Sequence, residues 1–166
     1  MEGYEAGADA YIAKPFHTLH LKVRIRKLLQ YRQKIHDLFK SDKASDLLAE
    51  AEIESGDKIF LTKMTQIIED NIDEPELSAA FIEKAFSISK MQLFRKVKSL
   101  TGLTPGEFIK HTRLKQAADF LVSSHLTVSE IFYRTGFNNQ SYFFREFKKR
   151  YNCSPNEYRE RQAVKR

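Results

Sequence analysis

Two short stretches of this chain carry side chains suited to gripping nucleobases and phosphates. They are Lys90, Met91, Phe94, Arg95 and Lys98, then Asn139, Gln140, Ser141, Phe144, Arg145 and Lys148. Arginine can bond guanine with two parallel hydrogen bonds and glutamine can bond adenine. An apolar group can touch a thymine methyl, while lysine neutralises phosphates without reading sequence. In the first stretch Leu93, Val97 and Leu100 share one side of a helix, which leaves the other side cationic. In the second, Phe143 and Phe147 point inward by the same geometry, so Gln140, Ser141, Phe144, Arg145 and Lys148 point outward. A solvated helix face is the plainer reading of either stripe alone.

The two stretches are copies of one pattern. Leu93-Phe94-Arg95-Lys96-Val97-Lys98 recurs as Phe143-Phe144-Arg145-Glu146-Phe147-Lys148, fifty residues later. The register persists downstream, mapping Gly102 onto Asn152, Pro105 onto Pro155, Glu107 onto Glu157 and Phe108 onto Tyr158. Capping-box spacing at Ser89-Lys90-Met91-Gln92, Thr104-Pro105-Gly106-Glu107, Thr127-Val128-Ser129-Glu130 and Ser154-Pro155-Asn156-Glu157 marks four helix starts. Each copy then reads as a short helix, a tight turn and a second helix, over 78–86 and 89–100, and again over 128–135 and 139–150. That is helix-turn-helix spacing.

The elements around these stretches divide the chain in three. Residues 1–40 hold a short Tyr11-Ile12-Ala13 strand, a Lys14-Pro15 turn and a basic helix whose Leu21, Ile25, Leu28, Ile35 and Leu38 recur at helical spacing. That stripe fits either a pairing helix between protomers or a helix packed on its own domain. Residues 41–56 are polar, acidic and alanine-rich, a linker ending in a Gly56-Asp57 break and helix cap. Residues 57–166 read as all-α, opening with Phe60, Met64, Ile67, Ile68 and Ile72 before Pro75 ends the run. The 166 residues carry 42% hydrophobic side chains, enough for one main core.

The formal charge of +6 suits a polyanionic partner, and bases concentrate after Lys90 and after Arg134 while 42–83 is acidic. The single Cys153 excludes an internal disulfide and a thiolate cluster, and reads as an inert filler. His17, His20, His36, His111 and His125 are scattered without carboxylate or cysteine companions, so neither a metal nor a cofactor is expected. Apolar runs are too short for a membrane span and no signal peptide is expected, which fits a soluble, cytoplasmic segment with no membrane contact. A protein-interaction module is the competing class, whereas an enzyme such as a DNA-repair alkyltransferase lacks the cysteines its chemistry needs.

Residues from about Phe60 to Tyr158 resemble the DNA-binding domain of the AraC/XylS transcription activators. The resemblance rests on Leu100-Thr101-Gly102, Thr104-Pro105-Gly106-Glu107-Phe108, Gly136-Phe137, Ser141-Tyr142-Phe143, Phe147-Lys148-Lys149 and Ser154-Pro155-Asn156-Glu157-Tyr158-Arg159. It implies seven helices, with two helix-turn-helix units joined by a long connecting helix over about 105–123, and two recognition helices in successive major grooves of promoter DNA. It puts base-edge contacts on Lys90, Met91, Phe94 and Arg95, and on Asn139, Gln140, Ser141, Phe144 and Arg145. Ser87 stands where that family commonly has a glycine, and Phe144 where a small or polar residue is more usual.

Residues 3–29 similarly resemble the closing part of a response-regulator receiver domain, through Gly3-Tyr4-Glu5-Ala6-Gly7-Ala8-Asp9-Ala10-Tyr11-Ile12-Ala13-Lys14-Pro15-Phe16. The resemblance implies that Lys14 is the phosphoryl-contacting lysine and that the chain is a piece of a longer, hybrid two-component regulator whose phosphorylatable aspartate lies elsewhere. It casts the segment as the output module of a phosphorelay. RNA polymerase and a second copy, joined through the N-terminal helix, are the expected protein partners, and the parent is a candidate for anchoring in the inner membrane.

Overall fold

Every helix that positions the two basic stripes starts or stops where local chemistry requires it. The computed structural model describes residues 17–41, 56–74 and 76–164, and all regular structure among them is α-helical. In chain order the helices are α1 (Thr18–Ser41), α2 (Gly56–Asp70), α3 (Ala79–Phe86), α4 (Lys90–Thr101), α5 (Pro105–Ser123), α6 (Val128–Arg134), α7 (Gln140–Tyr151) and α8 (Pro155–Ala163). The last seven match the seven-helix expectation. The strand at 11–13, Lys14 and the linker residues 42–55 lie outside the described residues.

The expected capping boxes at Thr127 and Ser154 close in full. Thr127 N–H donates to Glu130 Oε2 at 2.7 Å while Glu130 N–H donates to Thr127 Oγ1 at 3.2 Å. Ser154 and Glu157 repeat the exchange at 2.7 and 3.4 Å. Both glutamates are held below the usual carboxylate range, first of all by the backbone N–H of the cap residue. At the other end of α2 the expectation fails: the helix stops at Asp70, five residues before Pro75. Asn71 is the reason, because its Nδ2 donates to Ile67 O at 2.8 Å and competes with the next helical turn. Gly56 also belongs to α2, so Asp57 sits inside the first turn.

The repeat reappears in backbone geometry. After α3, Ser87 is left-handed (φ 52°), with Ser87 N–H donating to Lys84 O and Ile88 N–H to Glu83 O. After α6, Gly136 is left-handed (φ 69°), with Gly136 N–H donating to Tyr133 O and Phe137 N–H to Phe132 O. These are the same Schellman stop built once on serine and once on glycine. The second helices stop alike as well, at Gly102 (φ 73°) and Asn152 (φ 55°), whose N–H groups donate to Lys98 O and Lys148 O.

The chain falls into two units, one of residues 1–64 with 91–104, the other of 65–90 with 105–166. In the first, Phe60, Leu61, Met64, Leu93, Val97 and Leu100 are buried. Lys96 holds the buried Asp57 at 3.3 Å and lies 5.2 Å from the Phe60 ring centre. In the second, Leu114, Ala117, Ala118 and Leu121 of α5 pack with Ile131, Phe132, Phe137, Phe143 and Phe147. Phe143 meets Phe132, Phe137 and Phe147 at 5.0–5.9 Å between ring centres, and Phe147 meets Tyr158 of α8 edge-on at 5.6 Å. Arg159 of α8 donates to Leu121 O and Leu126 O, tying the last helix to the end of α5. Cys153 is buried.

An ion pair sets how α7 lies on α5: Lys110 Nζ meets Glu146 Oε2 at 2.7 Å. The hydrogen bond from Lys110 holds the Glu146 carboxyl below the usual range against the opposing effect of burial. Burial pulls the Lys110 ammonium down, but Glu146 and Tyr142 together raise it above its ordinary value.

Three stability predictions result. A Cβ on Gly136 would stand 2.2 Å from Ile72 O in a left-handed backbone, so Gly136→Ala should cost about 3 kcal/mol or more in denaturant unfolding. Ser87→Gly, relieving the same conformation, should add about 0.5–1 kcal/mol. The Glu146 carboxyl has a folded pKa below its unfolded value of about 4.3, so its stabilisation is present above that pH and is lost as pH falls through the folded value. Unfolding measured from about pH 5 to pH 3 should show a larger loss in the natural chain than in Lys110→Met, by up to about 1 kcal/mol, because the capping glutamates Glu130 and Glu157 lose stabilisation in both.

Candidate nucleic-acid interface

Because α4 and α7 are copies in register, both bury and expose equivalent positions. On α4 the residues Leu93, Val97 and Leu100 are buried, and on α7 so are Phe143 and Phe147. At 3.6 residues per turn, positions 90, 91, 94, 95 and 98 fall within an arc of about 140° away from the buried stripe, and 140, 141, 144, 145 and 148 within the same arc of the other helix.

On α4, Lys90, Met91, Phe94, Arg95 and Lys98 are all exposed, Met91 at 61% and Phe94 at 42%. Two large apolar side chains in water beside three cations make a surface able to meet both thymine methyls and phosphates. The cations lean along the helix: Arg95 Nε donates to Met91 O at 3.4 Å and Lys98 Nζ to Gly102 O at 2.6 Å.

On α7, Gln140, Ser141, Arg145 and Lys148 are exposed. Asn139 precedes the helix as its N-cap, with Oδ1 accepting from Tyr142 N–H at 2.8 Å. Its amide is thereby fixed at the start of the helix rather than along its face. Phe144 is only partly outward. It is half-buried against the aromatic core, edge-on to Phe143 at 5.6 Å, because a ring at that position gains more from the neighbouring aromatic cluster than from water.

Tyr142 and Glu146 take part in this surface although neither was singled out by its type. The Arg145 guanidinium lies 5.1 Å from the Tyr142 ring centre, and Arg145 Nε meets Glu146 Oε1 at 3.4 Å. Arg145 is 68% exposed, so a stacked aromatic on one side and a carboxylate on the other orient a guanidinium that still faces solvent. The (i, i+3) spacing of Tyr142 and Arg145 is the sequence signal that could have found this pair.

Position 96 and its copy 146 share another role. Lys96 pairs with Asp57, and Glu146 pairs with Lys110. Each recognition helix is thus pinned through the same repeat position to a different helix of its own unit, with the charges reversed. Neither residue belongs to the exposed arc.

Beside α7 lies a cavity of about 290 Å³, lined among others by Ser78, Lys110, Arg113, Gly136 and Tyr142. Burial lowers the Arg113 pKa, and its Nη2 donates to Glu74 O at 2.8 Å. With Lys110 held by Glu146, both cations in this cavity serve as struts. Among the described residues no cluster of histidine, cysteine or carboxylate side chains has metal-binding geometry, and no helix is long and apolar enough to cross a membrane.

Residues 82–161 match the family model described as a helix-turn-helix domain. Over 160 residues the chain is 36% identical to Histidine kinase P4 of Formosa agariphila, covering 96% of this chain and 12% of the length of that relative. A transcriptional regulator of Chromobacterium violaceum, whose structure is described among AraC-type DNA-binding domain-containing proteins, superimposes with a TM-score of 0.60 at 28% identity, over 65% of this chain and 96% of that one. The C-terminal domain of AraT, a response regulator from Geobacillus stearothermophilus, gives 0.55 at 29% identity over 61% and 84%. The all-α architecture, the repeated stop geometry and these likenesses agree: the C-terminal part of the chain holds a helix-turn-helix domain whose fold is similar to those of the AraC type.

Proposed function

We propose that this domain reads duplex DNA in a sequence-specific way, inserting α4 and α7 into successive major grooves of a promoter. The observation that carries the reading is the doubled exposed arc: Arg95 with Met91 and Phe94 on one helix, and Gln140, Ser141 and Arg145 on the other, each followed by a lysine one turn later. Arg95 and Arg145 take guanine edges, Gln140 takes adenine, Lys90 also meets base edges, and Lys98 and Lys148 take phosphates. Asn139 contacts DNA from the helix start, and Phe144 supports α7 from the rim of its core more than it reaches bases.

The chain is, in this reading, the output module of a longer two-component regulator. The 36% identity with a protein named as a histidine kinase, which extends across 96% of the chain, supports it. So does the likeness to the C-terminal domain of a response regulator. Phosphorylation of the parent's receiver, whose closing part residues 3–29 resemble, pairs protomers, and the helix from His17 to Phe39 helps place two such domains on repeated sites, which raises occupancy through effective concentration. RNA polymerase is then the downstream partner in the cytoplasm.

Selection of bound duplexes from a random pool tests the reading. The expected winner is a bipartite motif whose two halves lie about one helical turn apart, and unselective binding that salt abolishes would sink it. On that winner Arg95→Ala and Arg145→Ala should each cost about 1–3 kcal/mol and relax preference at one position. Lys98→Ala and Lys148→Ala should instead weaken selected and scrambled DNA equally.

A further inference from the structure

Arg145 is gripped from outside its own helix. Glu146 divides its carboxylate: Oε1 accepts from Arg145 Nε at 3.4 Å, while Oε2 accepts from Lys110 Nζ of α5 at 2.7 Å. Tyr142 is shared in the same way, because the Arg145 guanidinium lies 5.1 Å and Lys110 Nζ 6.0 Å from the centre of its ring. Burial works against the Lys110 ammonium, yet Glu146 and the Tyr142 hydroxyl together outweigh it and hold the charge. Lys110 therefore engages both groups that engage Arg145.

An exposed arginine beside an exposed carboxylate gains little from the pairing. Here the Glu146 side chain is only 11% exposed, and its other oxygen is fixed to α5, so it cannot follow a wandering guanidinium. The guanidinium lies over Tyr142 and its single Nε–H is spent on Glu146. The pair of Nη groups is then the edge left for a bidentate bond to guanine. An arginine held in this way loses less freedom on binding and adjusts less readily to a wrong base.

The copy on α4 is built differently. Gln92 and Lys96 stand at the places of Tyr142 and Glu146, and Lys96 is taken by Asp57. Arg95 Nε donates instead to Met91 O, a carbonyl of its own helix.

We propose that Lys110 is a positioning residue for base selection, which fixes the plane and the free edge of Arg145 through Tyr142 and Glu146 without itself meeting a base. The inference rests on the reading of α7 as a recognition helix, and it assigns the stringency of that half-site to a side chain of α5.

Arg145→Ala first identifies the base pair that Arg145 reads, and the selected duplex is then compared with one changed at that pair alone. The full chain should prefer the selected duplex by about tenfold or more. Lys110→Met should lower this ratio to about twofold, mainly by weakening the selected duplex, and leave the ratio at the pair read by Arg95 unchanged. Because that variant also strands Glu146, a second one combines Lys110→Glu with Glu146→Lys, which keeps an ion pair between α5 and α7 but takes the carboxylate away from position 146. Its unfolding midpoint should approach that of the full chain while the ratio stays low. A ratio restored by the swap means that the pair acts only by packing α7, and overturns the proposal. So does an unchanged ratio in Lys110→Met, an equal fall at the pair read by Arg95, or a uniform loss on both duplexes with a flatter salt slope, the mark of a phosphate contact by Lys110 itself. If Lys110→Met fails to fold, the swap alone decides, and a ratio equal to that of the full chain is the overturning result. A preference that Arg145→Ala leaves intact at every pair overturns the reading of α7 itself.

Discussion

Burial of Phe143 and Phe147 is the constraint on which the second basic surface depends. A helix has one rotation that satisfies two fully buried rings, and here those rings are locked among Phe132, Phe137, Tyr151 and Tyr158. Each buried phenylalanine is worth on the order of 2–3 kcal/mol. Gln140, Ser141, Arg145 and Lys148 face solvent because the other side of α7 cannot. No polar interaction on the exposed arc is strong enough to compete with that.

The repeat shows how one backbone solution survives changed chemistry. Ser87 does at the first turn what Gly136 does at the second, although a left-handed serine is the more costly choice. At the second turn the choice of glycine is forced, since Ile72 O and the Arg113 guanidinium leave no room for a side chain. Gly102 and Asn152 stop the second helices in the same conformation, asparagine being one of the few residues that visits it readily. Lys96 and Glu146 go further and exchange sign. What persists is the need for an anchor at that position, and the partner's charge decides which residue supplies it.

Much of this was legible because helix signals are local. The starts of α5, α6 and α8 follow from Pro105 and the Thr127 and Ser154 boxes, and the ends of α3, α4, α6 and α7 from the left-handed stops. The buried stripes follow from spacing alone. The end of α2 was misjudged because Pro75 is a conspicuous breaker, whereas a side-chain amide at Asn71 competing for one carbonyl leaves no periodic trace.

The sequence by itself determined the repeat, the helical class, the cap chemistry and which side of α4 and α7 carries cations, since each depends on residues within one or two turns of one another. Only the tertiary structure decided that Phe144 leans into the core, that Tyr142 and Glu146 orient Arg145, and that Lys96 and Lys110 are anchors. The two anchors depend on which distant carboxylate stands nearby after packing. A lysine bound to a buried aspartate and a lysine open to phosphate have the same letter in the chain, and only the neighbour separates them.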